Sequence, residues 1–374
     1  MRLVARAGCG IVLSLALTTG CIDGNFLGVV PPAAPGGGSG SETPPAHQTW
    51  RSTAPLNTAR TGHAAALLPS GQVIVAGGYN PNAPDLSRSL SSSELYDPAT
   101  GTWTSTGSMN EPRVTHAAVL LPTGKLLSMG HGPFSNTADL YDATTGVWTP
   151  TGSMHFQRQN VQAVLLPSSQ VLVVGGVANN PNGPGFAELY DPATGIWSRA
   201  RDTSRLLMQP ALTLLPSGKV LLSGGGYSGD YADAEVYDPS TDTWTPTGSM
   251  LTPRAGHTAT LLPSGQVLVV GGGSAQAELY DPASGVWTSA GSLAHSRSSH
   301  TATLLPSGQV LVVGGGSAQA ELYDPASGVW TSAGSLAHSR SSHTATLLPS
   351  GEVLVAGGYE GNNESLDTVE IYTP

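Results

Sequence analysis

Six arginines recur ten residues after a tryptophan: Arg60, Arg113, Arg158, Arg254, Arg297 and Arg340, with Leu207 in the seventh place. A ring of guanidinium groups is the kind of array that grips carboxylate or sulfate bidentately. Each arginine has a matching acid further along its own unit (Glu94, Asp139, Glu188, Glu278, Glu321 and Glu370), and Glu235 keeps that place in the unit of Leu207. One arginine and one acid per unit favours ion pairing inside the scaffold over ligand capture. A buried pair would fix geometry more than it adds stability, because desolvation offsets most of its attraction.

Three residues after the arginine place stand five histidines, His63, His116, His257, His300 and His343, with Val161 and Pro210 in the other two units. A metal site needs three or four ligands converging at about 2.0 to 2.1 Å. Residues that repeat once per unit around a ring do not converge in that way, so packing and hydrogen bonding are expected and no metal or other cofactor is assigned. General acid–base chemistry would have to come from residues that break the repeat. The breaks are His131, His155, Gln157, Gln159, Asn160, Arg199, Arg201, Asp202, Arg205 and Asp230. Gly-x-Ser-x-Gly and His-Glu-x-x-His are both absent from the sequence, and no catalytic residue is named.

The elements that position these groups follow from the repeat. The seven tryptophans, Trp50, Trp103, Trp148, Trp197, Trp244, Trp287 and Trp330, are spaced by 43 to 53 residues, a period that belongs to stacked units unable to bury their apolar faces alone. Six of them follow a tyrosine by seven residues (Tyr96, Tyr141, Tyr190, Tyr237, Tyr280, Tyr323), and each is followed 27 residues later by a glycine, usually the first of a pair. Charged residues make up only 11% of a chain with 48 Gly and 29 Pro, so short strands and turns are expected, not helices. Within a unit, Pro-Ser-Gly and Asp-Pro-Ala-Ser-Gly supply turns, and Val-Leu-Val-Val has the unbroken apolar run of a strand covered on both faces. An outer-strand Trp is suited to filling the gap that widens between neighbouring units, with its indole N–H on a backbone carbonyl.

The Gly-Gly, Tyr and Trp at these intervals resemble the kelch repeat, and the resemblance spans residues 50–372. It implies an all-β, seven-bladed β-propeller of four-stranded kelch blades. The chain ends three strands into its last unit and, past the N-terminal stretch, begins with a lone Trp strand, so that strand is expected to close the ring as the fourth strand of the last blade. Residues 257–299 and 300–342 are identical, a tandem duplication that leaves six blades as the alternative count. Related propellers include galactose and glyoxal oxidases and sialate epimerases. The oxidases require a cysteine cross-linked to a tyrosine beside copper; Cys9 and Cys21 are the only cysteines here and both precede the repeat, so that chemistry is excluded. A sugar-acting epimerase or lyase, or a purely structural surface protein, stands as the alternative to a binding module.

Residues 1–21 read as an export signal: Arg2 and Arg6, an apolar run over 11–17 that is too short to span a bilayer, then Thr18-Thr19-Gly20 before Cys21. The ending is similar to the lipobox of bacterial lipoproteins, with Leu17 one place further from the cysteine than that pattern has it. Cys21 is thus the expected acylation site, cleavage without acylation being the alternative. Residues 22–47 are Pro-, Gly- and Ser-rich and read as a flexible tether, leaving 48–374 as the propeller. A secreted or outer-envelope location follows, with membrane contact only through the N-terminus. Without Arg2 and Arg6 the charge is near −12, which disfavours nucleic acid. A monomer is expected.

All length variation lies between Gly-Gly and the next Tyr, in loops that share a face with the connections between units, while the constant turns occupy the other face. Loops on a rigid scaffold carry binding residues more often than constant turns do. The candidate site for a protein or carbohydrate ligand is therefore the variable face, with Tyr79, Asn80, Phe134, Asn180, Phe186, Tyr227, Asp230, Tyr231 and Tyr359.

Overall fold

The computed structural model describes residues 49–83, 88–131, 135–176, 185–226, 229–361 and 364–374, together with the short pieces Thr18–Thr19 and Gly24–Phe26. Seven four-stranded antiparallel blades form a ring. Among the described residues no helix is long and apolar enough to cross a membrane.

Blade 5 stands for all of them, with strands His257–Leu261, Val267–Gly271, Gln276–Asp281 and Val286–Ser292 running from the channel outward. Val267, Leu268, Val269 and Val270 are all fully buried, which explains a strand without polar alternation: both faces of it meet a neighbouring blade. The apolar clusters accordingly form between blades. One joins Val119 and Leu127 of blade 2 to Ala163, Val171 and Trp197 of blade 3; another joins Leu268 and Val270 of blade 5 to Val310, Val312 and Tyr323 of blade 6.

Each Trp packs obliquely on the Tyr of its own blade, with centroids 4.8 to 5.1 Å apart. Its indole N–H donates toward the preceding blade, as Trp103 does to Ala54 O (3.0 Å) and Trp287 to Gly248 O (2.7 Å). The two glycines of each pair also serve the blade-to-blade seam. A Cβ on Gly271, at φ +72°, would run into the His300 ring and the Arg297 carbonyl of the next blade, and the second glycine donates its N–H to the next arginine's carbonyl, as Gly225 does to Arg254 O (2.7 Å).

The ring closes with seven blades. Thr49–Thr53 pairs antiparallel with Val369–Thr373, placing Trp50 opposite Tyr372, and completes blade 7 beside Thr344–Leu347 and Val353–Ala356. The duplicated unit is a full blade of that ring rather than an insertion that leaves six. Thr18–Thr19 pairs with the innermost strand of blade 2 and Gly24–Phe26 with that of blade 6.

Candidate functional site

The six arginines are fully buried and each forms an ion pair within its own blade. Arg60–Glu94, Arg113–Asp139 and Arg340–Glu370 lie at 2.7 Å, Arg297–Glu321 at 2.8 Å, and Arg158–Glu188 and Arg254–Glu278 at 2.9 Å. Each guanidinium also donates to the carbonyl of the first glycine of the pair, as Arg158 does to Gly175 O (2.8 Å) and Arg340 to Gly357 O (2.8 Å). The acid in turn accepts the backbone N–H of the residue three places before the arginine: Asn57, His155, Leu251, Ala294 and Ala337 at 2.6 to 2.9 Å. This unit ties the connection between blades to the third strand. Burial pushes the Arg60, Arg158 and Arg340 guanidinium groups below their usual value, and the carboxylates oppose that shift. No face of the arginine ring is open to a ligand.

Four of the histidines bridge to the preceding blade through Nε2: His63 to Thr344 Oγ1 (2.9 Å), His257 to Ser223 Oγ (3.0 Å), His300 to Thr258 Oγ1 (2.9 Å) and His343 to Thr301 Oγ1 (2.9 Å). Burial first, and then the nearby arginine, hold His63, His257 and His300 down to about 3 and His343 well below the usual imidazole value. They are neutral seam residues.

The loop face is different. The variable loops and the connections between blades do share one face, because the connection residue Phe156 stacks on the loop residue Phe186 with centroids 4.0 Å apart and planes within 3°. Arg199, at the end of the outer strand of blade 3, covers both rings at 5.5 and 5.4 Å and pairs with Asp202 at 3.0 Å. Beside it in blade 4, Arg205 lies over Tyr231 at 5.1 Å and pairs with Asp233 at 2.9 Å. Both phenylalanines and Tyr231 are half-buried, whereas Asp230 and both arginines are exposed. The result is a polar–aromatic patch across blades 3 and 4. Phe186, Asp230 and Tyr231 were expected from the sequence to lie on this face. Phe156 was not, although it stands between His155 and Gln157 where the repeat breaks, and an aromatic there was the available signal.

Tyr79, Asn80 and Tyr359 lie on the same face near blades 1 and 7, apart from this patch. Tyr79 bridges Thr61, and its carbonyl accepts Ser365 Oγ at 3.0 Å, while Tyr359 bridges Ser341. The Asn80 carboxamide oxygen accepts the Asn82 N–H (2.9 Å) and so closes its own turn. Phe134, Asn180 and Tyr227 lie outside the described residues, as does Cys21.

The acid, arginine and histidine in this region do not form a free catalytic set. His155 Nδ1 sits 2.8 Å from Glu188 Oε1, but Glu188 is already held by Arg158 and by the His155 backbone N–H, so its lone pairs are committed. On the opposite face a broad groove of ≈ 690 Å³ opens between blades 4 and 5, with Lys219, Asp238, Gln266 and Asp281 in its lining. Its polar groups close the turns that form it. Asp281 accepts Ala283 N–H and Ser284 Oγ–H, and Asp238 accepts Ser240 and pairs with Lys219 at 3.0 Å. These turns recur from blade to blade, so the volume comes without chemistry particular to one place.

A family model described as Kelch motif matches residues 60–110 and 217–251. No curated protein matches the chain. Among solved structures it is similar to a novel fungal alcohol oxidase with catalytic diversity among the AA5 family, in complex with copper: TM-score 0.75, 19% identity, covering 88% of this chain and 76% of that one. At such identity the likeness speaks for the fold alone. The residues here do not fit that copper, since both cysteines precede the propeller and the described residues contain no group of three or more His, Cys, Asp or Glu able to hold a metal. With the motif matched in two stretches and seven blades in the ring, the chain is a kelch-repeat β-propeller.

Proposed function

We propose that this propeller is an extracytoplasmic binding module that recognises a protein ligand through the loop face of blades 3 and 4. Kelch propellers commonly serve as protein-binding scaffolds. The observation that carries the reading is the half-exposed Phe156–Phe186 stack under Arg199. Aromatic residues and arginine are enriched at interface centres, and an arginine lying on aromatic rings next to an acid offers both apolar area and charge to a partner. A carbohydrate ligand is the second reading, favoured by the half-exposed Tyr231 ring among Asp230, Asp233 and Arg205.

The test is capture from an envelope extract of the source organism, run beside a glycan array, with wild type and a Phe156→Ala/Phe186→Ala variant. The variant should lose about 1 to 4 kcal/mol of binding free energy if the stack anchors the partner, with its melting temperature nearly unchanged, because these rings lie outside the blade core. Undiminished capture by the double variant would remove the patch from the account.

The proposed location rests on residues 1–21. Acylation at Cys21 would hold the propeller at a membrane through the 22–47 tether. A Cys21→Ser variant should then leave the membrane fraction while melting as the wild type does, no disulfide being lost. A variant that still sediments with membranes would rule out this anchor.

A further inference from the structure

We infer that blade 4 carries a site for a primary ammonium group, in the place that the other six blades fill with their own arginine. Leu207 occupies that place with the backbone register preserved: its carbonyl accepts the Gly176 N–H (3.1 Å), as the arginine carbonyls accept the second glycines elsewhere, and Met208 bridges Gly226 as Thr61 bridges Tyr79. The acid has been kept. Glu235 is only 7% exposed, yet no guanidinium reaches it. Its contact with the Ser204 N–H is slack, at 3.3 and 3.4 Å to the two carboxylate oxygens, where the equivalent bond elsewhere is 2.6 to 2.9 Å.

A buried carboxylate without a counter-charge is costly, and here it borders a small cavity. The cavity has the buried Leu207, Leu222, Gly224 and Glu235 on its inner side and Ser204, Arg205, Tyr231 and Asp233 on its outer side. Leu207, Leu222 and Glu235 are buried, whereas the Asp233 side chain is half exposed, so the cavity leads from solvent down to the carboxylate. Its volume of ≈ 10 Å³ is about that of one water centre, a size that suits a single –NH3+ head. The Gly224 carbonyl and the Glu235 carboxylate stand where the guanidinium of the other blades finds its acceptors. The charged groups lining the cavity are Glu235, Asp233 and Arg205, and Arg205 is paired to Asp233 at 2.9 Å, so Glu235 keeps no ion-pair partner of its own.

The site rests on the reading of this face as a binding surface and narrows it to a ligand that presents a lysine-like side chain. The probes are Nα-acetyl-lysine methylamide, its arginine counterpart and its norleucine counterpart, titrated by calorimetry against the full chain. The lysine compound should bind, the other two should bind at least about tenfold more weakly, and Glu235→Gln should abolish the difference. Leu207→Arg should remove lysine binding and raise the melting temperature, because the chain would then supply its own cation. Saturation by the arginine compound at the same concentration as the lysine compound would overturn the inference. So would unaltered lysine binding in Leu207→Arg, or no binding of any probe, which would leave water alone in the cavity. None of these outcomes bears on the Phe156–Phe186 result, so failure of this site and failure of the wider binding surface are told apart.

Discussion

Acidification from neutral pH to about pH 5 is expected to unfold the propeller in a steep, multi-proton transition. His63, His257 and His300 are held down to about 3, and His343 also lies well below 6.5, by burial first and then by the arginine beside each ring. A histidine depressed in the folded state binds its proton in the unfolded state first. Its contribution to stability is therefore whole above about pH 6.5 and shrinks as pH falls toward the folded value near 3. The loss is about 1.4 kcal/mol per histidine per pH unit, so four of them withdraw on the order of 8 kcal/mol at pH 5, comparable with the whole stability of a typical domain. Urea melts at a series of pH values measure this directly. Midpoints that hold steady between pH 7 and 5 would contradict the neutral, seam-bridging role of these rings.

Removing residues 48–55 is expected to cost more than 5 kcal/mol, on the order of five strand hydrogen bonds and one aromatic side chain. Thr49–Thr53 is the outer strand of blade 7, and Trp50 both packs on Tyr372 at 5.1 Å and donates to Ala333 O of blade 6 at 2.8 Å. Without it, Val369–Thr373 becomes an open edge of the kind that recruits other chains, so lower melting should come with lower soluble yield and association. Calorimetry and light scattering on the truncated chain check both parts. An unchanged melting temperature would mean that the ring does not depend on this closure.

The fold was legible because its determinants repeat. Trp at a constant distance from Tyr and Gly-Gly marks the four strands, and the lone Trp50 strand opposite an incomplete last unit declares the closure. The arginines and acids were legible as pairs for the same reason: each occurs once per unit at a fixed offset, and a group present in every blade serves the blade. The patch was only partly legible. Phe156 and Phe186 are 30 residues apart, on a connection and a loop whose meeting depends on strand direction and loop path, and neither belongs to the repeat. Leu207 could be seen as a gap in the arginine series, but no residue pattern signalled that Glu235 would remain buried beside a cavity open at its rim. Departures from a repeat are visible in sequence; what they do depends on which departures become neighbours.

We place the working surface on the loop face of blades 3 and 4 and not on the turn face, although the broad groove lies on the turn face. Hydrogen exchange of the propeller with and without its captured partner tests this most directly. Slowed exchange is expected in the stretches around Phe156, Phe186, Arg199 to Arg205 and Tyr231, with the duplicated blades 5 and 6 unaffected. Protection confined to the turns around Lys219, Asp238, Gln266 and Asp281 would contradict it.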